Sequence, residues 1–182
     1  MKALLTLFLL VGTLISSIAQ DAITYNRGKA VEWSDFRGKP DMKAWASAMT
    51  ATQIKMKATP KQSGVSLKVE CVFIPSKSWV KPNHKDYVLL LHERGHFELR
   101  ELYTRMLRKE LKELKVTQRN AGRKIKRTYK KYHRKARRIN KKYDKETDFS
   151  RNKTGQARWY TYIDEELQKY KAYTGTMLFL RY

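Results

Sequence analysis

The pattern of hydrophobic and polar residues changes near residue 84. Between about residues 20 and 80, apolar residues alternate with polar ones, which is the pattern of half-buried β-strands. The clearest alternation covers residues 65–74, and a second strand is predicted over 44–58, with a hairpin-length connection at 60–64. We therefore expect a small antiparallel β layer in this part of the chain.

After residue 84 the apolar positions follow the three-and-four spacing of helices. A first helix is predicted to about residue 116, a second over 119–142 and a third over 154–172. The second helix carries a narrow apolar seam that suits packing along another helix. Its members are Ile125, Tyr129, Tyr132, Ala136, Ile139 and Tyr143. The apolar-rich residues 176–182 are expected to dock as a final strand or loop.

The predicted fold class is α+β, with a small antiparallel β layer followed by three helices. A chain of 182 residues suits one domain. We expect that domain to cover residues 20–182, with a β-rich part at 20–80 and a helical part at 84–172.

The first 19 residues have the features of a signal peptide. Lys2 precedes an apolar run, and Ser17 and Ala19 provide small residues at the −3 and −1 positions, so cleavage is expected after Ala19. An uncleaved membrane anchor is the alternative, but the apolar run is shorter than the roughly 20 residues of a comfortable span. We therefore predict an exported protein, periplasmic or extracellular.

The composition excludes several classes of protein. Charged residues make up 31% of the chain, which excludes a protein with several membrane spans. The single cysteine excludes an internal disulfide framework and a cysteine-rich zinc module. Because Cys71 lies in the alternating run at 65–74, we expect it to be a buried structural thiol.

The strongest chemical motif is His92-Glu93-Arg94-Gly95-His96, on the first predicted helix. Two histidines four residues apart face the same side of a helix and can bind one Zn²⁺ ion. A zinc-coordinated water with a pKa of about 7 supplies a nucleophile, and Glu93 is placed to act as its general base. A buried core position is the alternative for each histidine, but their spacing around Glu93 favours metal ligands.

The third metal ligand stays open on this reasoning. His84 lies eight residues before His92, about 12 Å along a continuous helix, and His133 lies within the basic second helix. We expect a carboxylate instead, although ordinary surface charge is the alternative for each one. The candidates follow the second helix or lie on the third: Asp144, Glu146 and Asp148 first, then Glu165 and Glu166.

Four segments match, in order, the motifs of one known family. They are Trp33-Ser34-Asp35-Phe36-Arg37-Gly38, Phe73 to Trp79, Leu91 to Tyr103, and Tyr143-Asp144 with Thr147, Gln156 and Trp159. They resemble the secreted bacterial proteins of domain of unknown function 922, which are regarded as zinc-dependent proteases. The resemblance implies a zinc-dependent metalloprotease domain that acts on peptides or proteins.

One position departs from that family. The family carries a histidine two residues after the threonine, and this chain has Phe149 there. A phenylalanine cannot bind a metal, so either a neighbouring carboxylate replaces the histidine, or zinc binds more weakly, or catalysis is lost. We take Asp148 as the expected third ligand, with Glu146 and Asp144 as alternatives.

The second helix is strongly basic. Residues 119–142 contain 13 Lys or Arg and no Asp or Glu, which is over half of the net charge of +23. A solvated helix face and attraction to an anionic surface are the two main interpretations. Nucleic acid is disfavoured, because export separates the protein from it and the tyrosine spacing suits packing better than base stacking.

Two functions follow from these observations. The first is a secreted zinc-dependent metallopeptidase that hydrolyses peptide bonds, with Glu93 as the general base. The alternative is a catalytically inactive exported envelope protein, which binds anionic polymers or a membrane surface through its basic helix.

Overall fold

The computed structural model describes residues 22–182, so the predicted signal peptide lies outside the described residues. Its strands are β1 (Ile23–Thr24), β2 (Ala48–Met49), β3 (Thr52–Lys61), β4 (Gly64–Phe73), β5 (Trp79–Val80) and β6 (Met177–Arg181). Its helices are α1 (Tyr87–Lys112), α2 (Ala121–Glu146) and α3 (Lys153–Lys169). An antiparallel sheet followed by three helices confirms the predicted α+β class.

The sheet is built around the hairpin of β3 and β4, which pair in register from Thr52 opposite Phe73 to Lys61 opposite Gly64. On its other side, β4 pairs with β6 along its first half and with β1 at its end. Strand β3 therefore lies at an edge, because β4 is its only partner in the described sheet. The alternation predicted over 65–74 is present, and Cys71 is fully buried.

Helix α1 is the central element of the fold. It packs on β3, β4 and β6 and also contacts α2 and α3. Asp86 begins it by accepting a hydrogen bond from the backbone N–H of Leu89 at 2.9 Å. Two leucines near its C-terminal end, Leu107 and Leu111, share one apolar cluster with the inward side chains of β4. The element that carries the histidine motif is thus held from several sides.

Helix α2 packs along α1 through its apolar seam, as predicted, and the two helices are antiparallel. Ile125, Tyr132, Ala136 and Tyr143 are buried along this helix. The helix continues to Glu146, four residues beyond its expected end, so Asp144 lies on its last turn. This difference matters for the site, because it makes Asp144 a helical residue that faces α1.

A left-handed turn separates α2 from α3. Asp148, Phe149 and Ser150 have φ values of 45°, 53° and 77°, which cost about 1–2 kcal/mol per residue outside glycine. Asn152 then begins α3 by accepting a hydrogen bond from the backbone N–H of Gly155 at 3.0 Å. The chain reverses within a few residues and brings α3 back against the site.

The β-rich part is less regular than the sequence pattern predicted. Within the part expected to be β-rich, Trp33–Asp35 forms a 3₁₀ turn. The predicted strand at 44–58 is interrupted, because β2 pairs with β5 while β3 pairs with β4. No helix within residues 22–182 is long and apolar enough to cross a membrane.

C-terminal to the histidines, α1 carries a buried ionic cluster. The Glu101 carboxylate oxygen Oε1 accepts hydrogen bonds from Arg105 and Arg108, each at 2.9 Å. Arg108 also donates to the Val69 carbonyl on β4 at 3.0 Å, and Arg105 donates to the Leu167 carbonyl on α3 at 2.7 Å. The cluster therefore connects α1 to the sheet and to α3.

Replacing Glu101 by glutamine should destabilise the fold strongly. The change leaves two buried guanidinium groups without their carboxylate, which costs about 3–5 kcal/mol in comparable buried pairs. Urea unfolding should show this loss as a lower midpoint. The control Glu113→Gln removes an exposed carboxylate that directly follows α1 and lies 3.9 Å from Lys109, and it should change stability by about 1 kcal/mol or less. Equal effects of the two changes would contradict this view of the cluster.

Candidate metal centre

His92 and His96 lie one turn apart on α1, on the face that meets α2. Their ring centroids are 4.8 Å apart, with the planes nearly perpendicular. The His92 side chain is 3% exposed and that of His96 is 14% exposed. The helical spacing expected from the motif is therefore present, and the more exposed ring borders the solvent.

Asp144 on α2 completes a three-residue group. Its Oδ1 oxygen lies 2.9 Å from His96 Nε2 and 3.4 Å from His92 Nε2. One potential ligand atom from each residue lies within 4.8 Å of the others, so the group could hold a metal ion. It arises because α1 and α2 are antiparallel, which places the last turn of α2 beside the second turn of α1.

Hydrogen bonds fix the orientation of the His96 ring. The Asn140 amide nitrogen donates to the Ala136 carbonyl at 2.8 Å, and a backbone carbonyl can only accept. The Asn140 oxygen must therefore be the atom that faces His96 Nδ1, at 2.7 Å. Since that oxygen can only accept, Nδ1 carries the hydrogen and the lone pair of neutral His96 is on Nε2.

The same logic applies to His92 through a longer chain of hydrogen bonds. The Tyr143 hydroxyl donates to the His92 backbone carbonyl at 3.2 Å, and its oxygen accepts from the Gln156 amide nitrogen. The Gln156 oxygen then faces His92 Nδ1 at 3.0 Å. Neutral His92 therefore also carries its hydrogen on Nδ1, and its Nε2 lone pair points to the Asp144 carboxylate.

When both histidines are neutral, three electron pairs converge at this point, an arrangement that a bound cation stabilises. Ligand atoms about 2.0–2.2 Å from a tetrahedral Zn²⁺ lie roughly 3.3–3.6 Å apart. The 3.4 Å between Asp144 Oδ1 and His92 Nε2 falls in this range, and the 2.9 Å to His96 Nε2 is shorter. Metal-binding histidines usually donate their outer N–H to a hydrogen-bond acceptor, a role that the Asn140 and Gln156 oxygens fill here. The residues present therefore fit a divalent metal ion.

The ionisation of the group reflects this convergence. Burial alone would lower the pKa of His96, but the hydrogen bond with Asp144 and the charge of Glu93 outweigh burial and raise it. Burial would raise the pKa of Asp144, but hydrogen bonds with His92 and His96 hold that pKa well below its usual range. The carboxylate is therefore kept ionised, as a metal ligand must be.

Gly95 lets α2 approach the motif closely. A Cβ atom at this position would lie 2.4 Å from the Tyr143 hydroxyl oxygen, closer than atoms in contact can be. The Tyr143 ring instead stacks on the His92 ring, with centroids 4.6 Å apart and 13° between the planes. Glycine is therefore required where the tyrosine hydroxyl crosses α1 to reach the His92 carbonyl.

The group lies in a cavity of about 950 Å³. Helix α1 contributes His92, Glu93 and His96, and α2 contributes Asn140 and Asp144. Glu93 is 4% exposed, and its Oε2 oxygen has no hydrogen-bond partner within the described residues. A buried carboxylate oxygen without a partner beside a metal-type group is available for proton transfer.

Segment 45–53, including the start of β3, also lines the cavity. At its rim, the exposed Trp45 and Phe149 rings pack edge to face with centroids 4.3 Å apart. Phe149, where the resembling family has histidine, therefore forms part of an aromatic rim. Arg151 lies over the same Trp45 ring, with its guanidinium carbon 5.3 Å from the ring centre.

The structure separates the remaining predicted ligands from the group. Asp148 is exposed and pairs with Arg151 at 2.7 Å and 3.0 Å, while Glu146 accepts a hydrogen bond from Trp159. Glu165 and Glu166 lie on α3 outside the group. His84 and His133 line the same cavity but do not belong to the group of His92, His96 and Asp144. Asp144, an alternative at the sequence level, is the carboxylate brought to both histidines.

The supporting residues Asn140, Tyr143 and Gln156 were not assigned roles from the sequence. An asparagine inside a helix, next to an apolar seam, was a usable signal, because asparagine is a poor helix former. Tyr143 and Gln156 belong to the segments that carried the family resemblance. Arg100, which also borders the cavity, gave no signal among so many basic residues.

The chain belongs to the family described as bacterial protein of unknown function (DUF922), which matches residues 28–152. The match covers more than half of the chain and includes both histidines, Glu93 and Asp144, but not Gln156. No curated protein and no solved structure gives a significant match.

Replacing Asn140 by alanine should weaken metal binding about 10–100-fold, as loss of a supporting hydrogen bond does at other metal sites. The His96 ring would lose the acceptor that holds its hydrogen on Nδ1. Competition with a chelator, followed at increasing Zn²⁺, measures the affinity. Lys141→Ala, at the adjacent exposed position, is the control and should bind like the unmodified protein. Unchanged affinity in Asn140→Ala would contradict the assigned role.

Proposed function

We propose that the protein is an exported zinc-dependent peptidase, with His92, His96 and Asp144 as the metal ligands and Glu93 as the general base. The observation that carries the proposal is the convergence of three lone pairs beside an unpartnered buried carboxylate in an open cavity. Export is proposed from the signal-like residues 1–19. Fractionation of cells, with the protein located in the cytoplasmic, periplasmic or extracellular fraction, would test it.

Zinc is the metal that the donor set favours. Two imidazole nitrogens and one carboxylate oxygen form the set of catalytic zinc sites that keep a further position open. Calcium and magnesium prefer sets made of oxygen alone. When bound, Zn²⁺ would lower the pKa of a water molecule to about 7 and polarise a carbonyl group.

The residues of the chain have separate tasks in the proposed hydrolysis. Glu93 takes a proton from the attacking water and delivers it to the nitrogen that leaves when the peptide C–N bond breaks. Asn140 and Gln156 keep both histidines in the tautomer that directs Nε2 toward the ion. Tyr143 fixes Gln156 and covers the buried face of His92, so the ligands are held before substrate arrives.

A peptide substrate is supported by the wall of the cavity. Thr52 and Gln53 begin the edge strand β3 and line the cavity directly. An edge strand offers unpaired backbone groups that can bind an extended peptide as an additional strand. The aromatic rim formed by Trp45 and Phe149 adds apolar surface for a side chain of that peptide.

Elemental analysis and a Glu93→Gln variant test the proposal together. The purified protein should contain one zinc ion per chain and cleave members of a varied peptide library, with products identified by mass spectrometry. Glu93→Gln should keep the metal and lose about 10²–10⁴-fold in cleavage rate, because it removes only the proton acceptor. Glu98→Gln, on the same helix but outside the cavity lining, is the control and should retain activity.

Two outcomes would contradict this function. Zinc bound in the normal amount without cleavage of any peptide would favour the inactive envelope protein. Cleavage that survives both the chelator and Glu93→Gln would mean that the activity has another source.

The basic face of α2 supports that second candidate, an exported protein that binds an anionic envelope surface. Most lysines and arginines of this helix are exposed, while its apolar seam is buried against the body. Near an anionic membrane each such residue contributes about 1 kcal/mol, an attraction that salt weakens. The surface and the metal cavity can therefore act independently.

Vesicle sedimentation tests whether the basic face of α2 binds an anionic membrane. The protein should sediment with phosphatidylglycerol-containing vesicles at low salt, remain in solution with phosphatidylcholine alone, and be released by high salt. Replacing Arg127, Lys130 and Arg134, all exposed on α2, by glutamine should weaken sedimentation severalfold. Equal sedimentation with both vesicle types would contradict an electrostatic membrane surface.

A further inference from the structure

Arg100 is a second charged group in the metal cavity. It lies on α1 one turn after His96, a rise of about 6 Å along the helix, and it lines the same cavity. Only 9% of the residue is exposed. Buried guanidinium groups are costly unless hydrogen bonds and an opposite charge satisfy them.

The hydrogen bonds of Arg100 are incomplete. Its Nε atom donates to the Thr52 hydroxyl at 3.2 Å, but its buried Nη1 has no partner among residues 22–182. No described carboxylate forms an ion pair with it. Arg105 and Arg108, on the same helix, instead share the Glu101 carboxylate and donate to backbone carbonyls. Arg100 therefore differs from the structural arginines of α1.

The surroundings of Arg100 increase its need for an anion. Burial lowers its pKa, and the nearby positive charge of Arg137 lowers it further, against opposing effects of Cys71 and Tyr129. His133 also lines the cavity, and its pKa is lowered by burial and then by Arg100 and Arg137. This end of the cavity is therefore positive, and no carboxylate among residues 22–182 pairs with Arg100 there.

We propose that Arg100 binds the C-terminal carboxylate of a peptide substrate, so that the enzyme removes residues from the C-terminal ends of peptides. The inference rests on the proposed peptidase function and names its substrate class. A guanidinium group is suited to a carboxylate, because its planar fork can donate two parallel hydrogen bonds. Thr52 holds the Nε side of the fork and leaves Nη1 to the ligand.

The spacing along α1 agrees with a cut near the end of the chain. An extended peptide advances about 3.3–3.6 Å per residue, so a rise of about 6 Å corresponds to one or two residues between the cleaved bond and the carboxylate. Water adds its oxygen to the scissile carbonyl carbon, the C–N bond breaks, and Glu93 returns the proton to the released amine. The products are a shortened peptide and a free amino acid or dipeptide.

Matched peptide pairs test the assignment. Each N-acetylated peptide is supplied with a free C-terminal carboxylate and as its C-terminal carboxamide, and kcat/KM is compared. The unmodified protein should favour the free acid by about 10–100-fold, the effect of hydrogen bonds to a charged group. Arg100→Gln should abolish this preference, and Arg100→Lys should retain part of it. Arg138→Gln removes an exposed charge of α2 outside the cavity lining and should keep the preference.

Binding to the metal-free protein provides a readout that does not depend on catalysis. Titration calorimetry with an N-acetylated tripeptide should show at least tenfold tighter binding of the free acid than of the carboxamide. Arg100→Gln should remove that difference, and Arg138→Gln should leave it in place. Thermal unfolding identifies any Arg100 variant that fails to fold, in which case Arg100→Lys supplies the comparison.

The outcomes separate this inference from the proposed function. Cleavage without preference for the free acid would overturn the role of Arg100 and leave the peptidase intact. A preference that persists in Arg100→Gln would also overturn it, as would an equal loss of activity on acid and carboxamide. Selective binding of the free acid without any cleavage would support the carboxylate site and contradict the peptidase.

Discussion

The site depends on one electrostatic constraint, the convergence of two imidazole lone pairs and a carboxylate oxygen at a buried point. Backbone carbonyls ultimately impose it. The Ala136 carbonyl orients the Asn140 amide, and the His92 carbonyl orients the Tyr143 hydroxyl, so neither imidazole can turn its N–H inward without losing a hydrogen bond. Because carbonyl oxygens cannot donate, the arrangement favours a cation at its centre.

The antiparallel pair of α1 and α2 makes this constraint possible and gives α1 two distinct uses. Near its N-terminal end the helix presents His92, His96 and then Arg100 to the cavity. From Glu101 to Arg108 its charged groups are buried and bind one another or the backbone of neighbouring elements. The ionic cluster therefore anchors the C-terminal half of α1, while the N-terminal half of the same helix carries the metal-binding residues.

Much of this architecture could be predicted from the sequence, because periodicity reports burial directly. Alternation predicted β4, and the spacing of the α2 seam predicted a helix that packs along α1. The His92 and His96 pair followed from helical geometry. Asp148 was preferred to Asp144 because it adjoins Phe149, where the resembling family has histidine. The extension of α2 to Glu146, which places Asp144 on the helix, was not predicted, because the ends of helices depend on capping contacts that the apolar pattern does not record. The roles of Asn140, Gln156 and Arg100 come from contacts between distant segments, which local patterns do not contain.

The close approach at Gly95 has a consequence for how the motif can be transplanted. A motif of two histidines and a glutamate is commonly written with two unrestricted positions, but neither is free in this chain. Gly95 admits the hydroxyl of a tyrosine from another helix, and Arg94 donates to the Val31 carbonyl at 2.7 Å. Grafting the five residues onto an unrelated helix would therefore carry over the ligands without the neighbour that aligns them, and a designer would need to move Tyr143 and its glutamine as well.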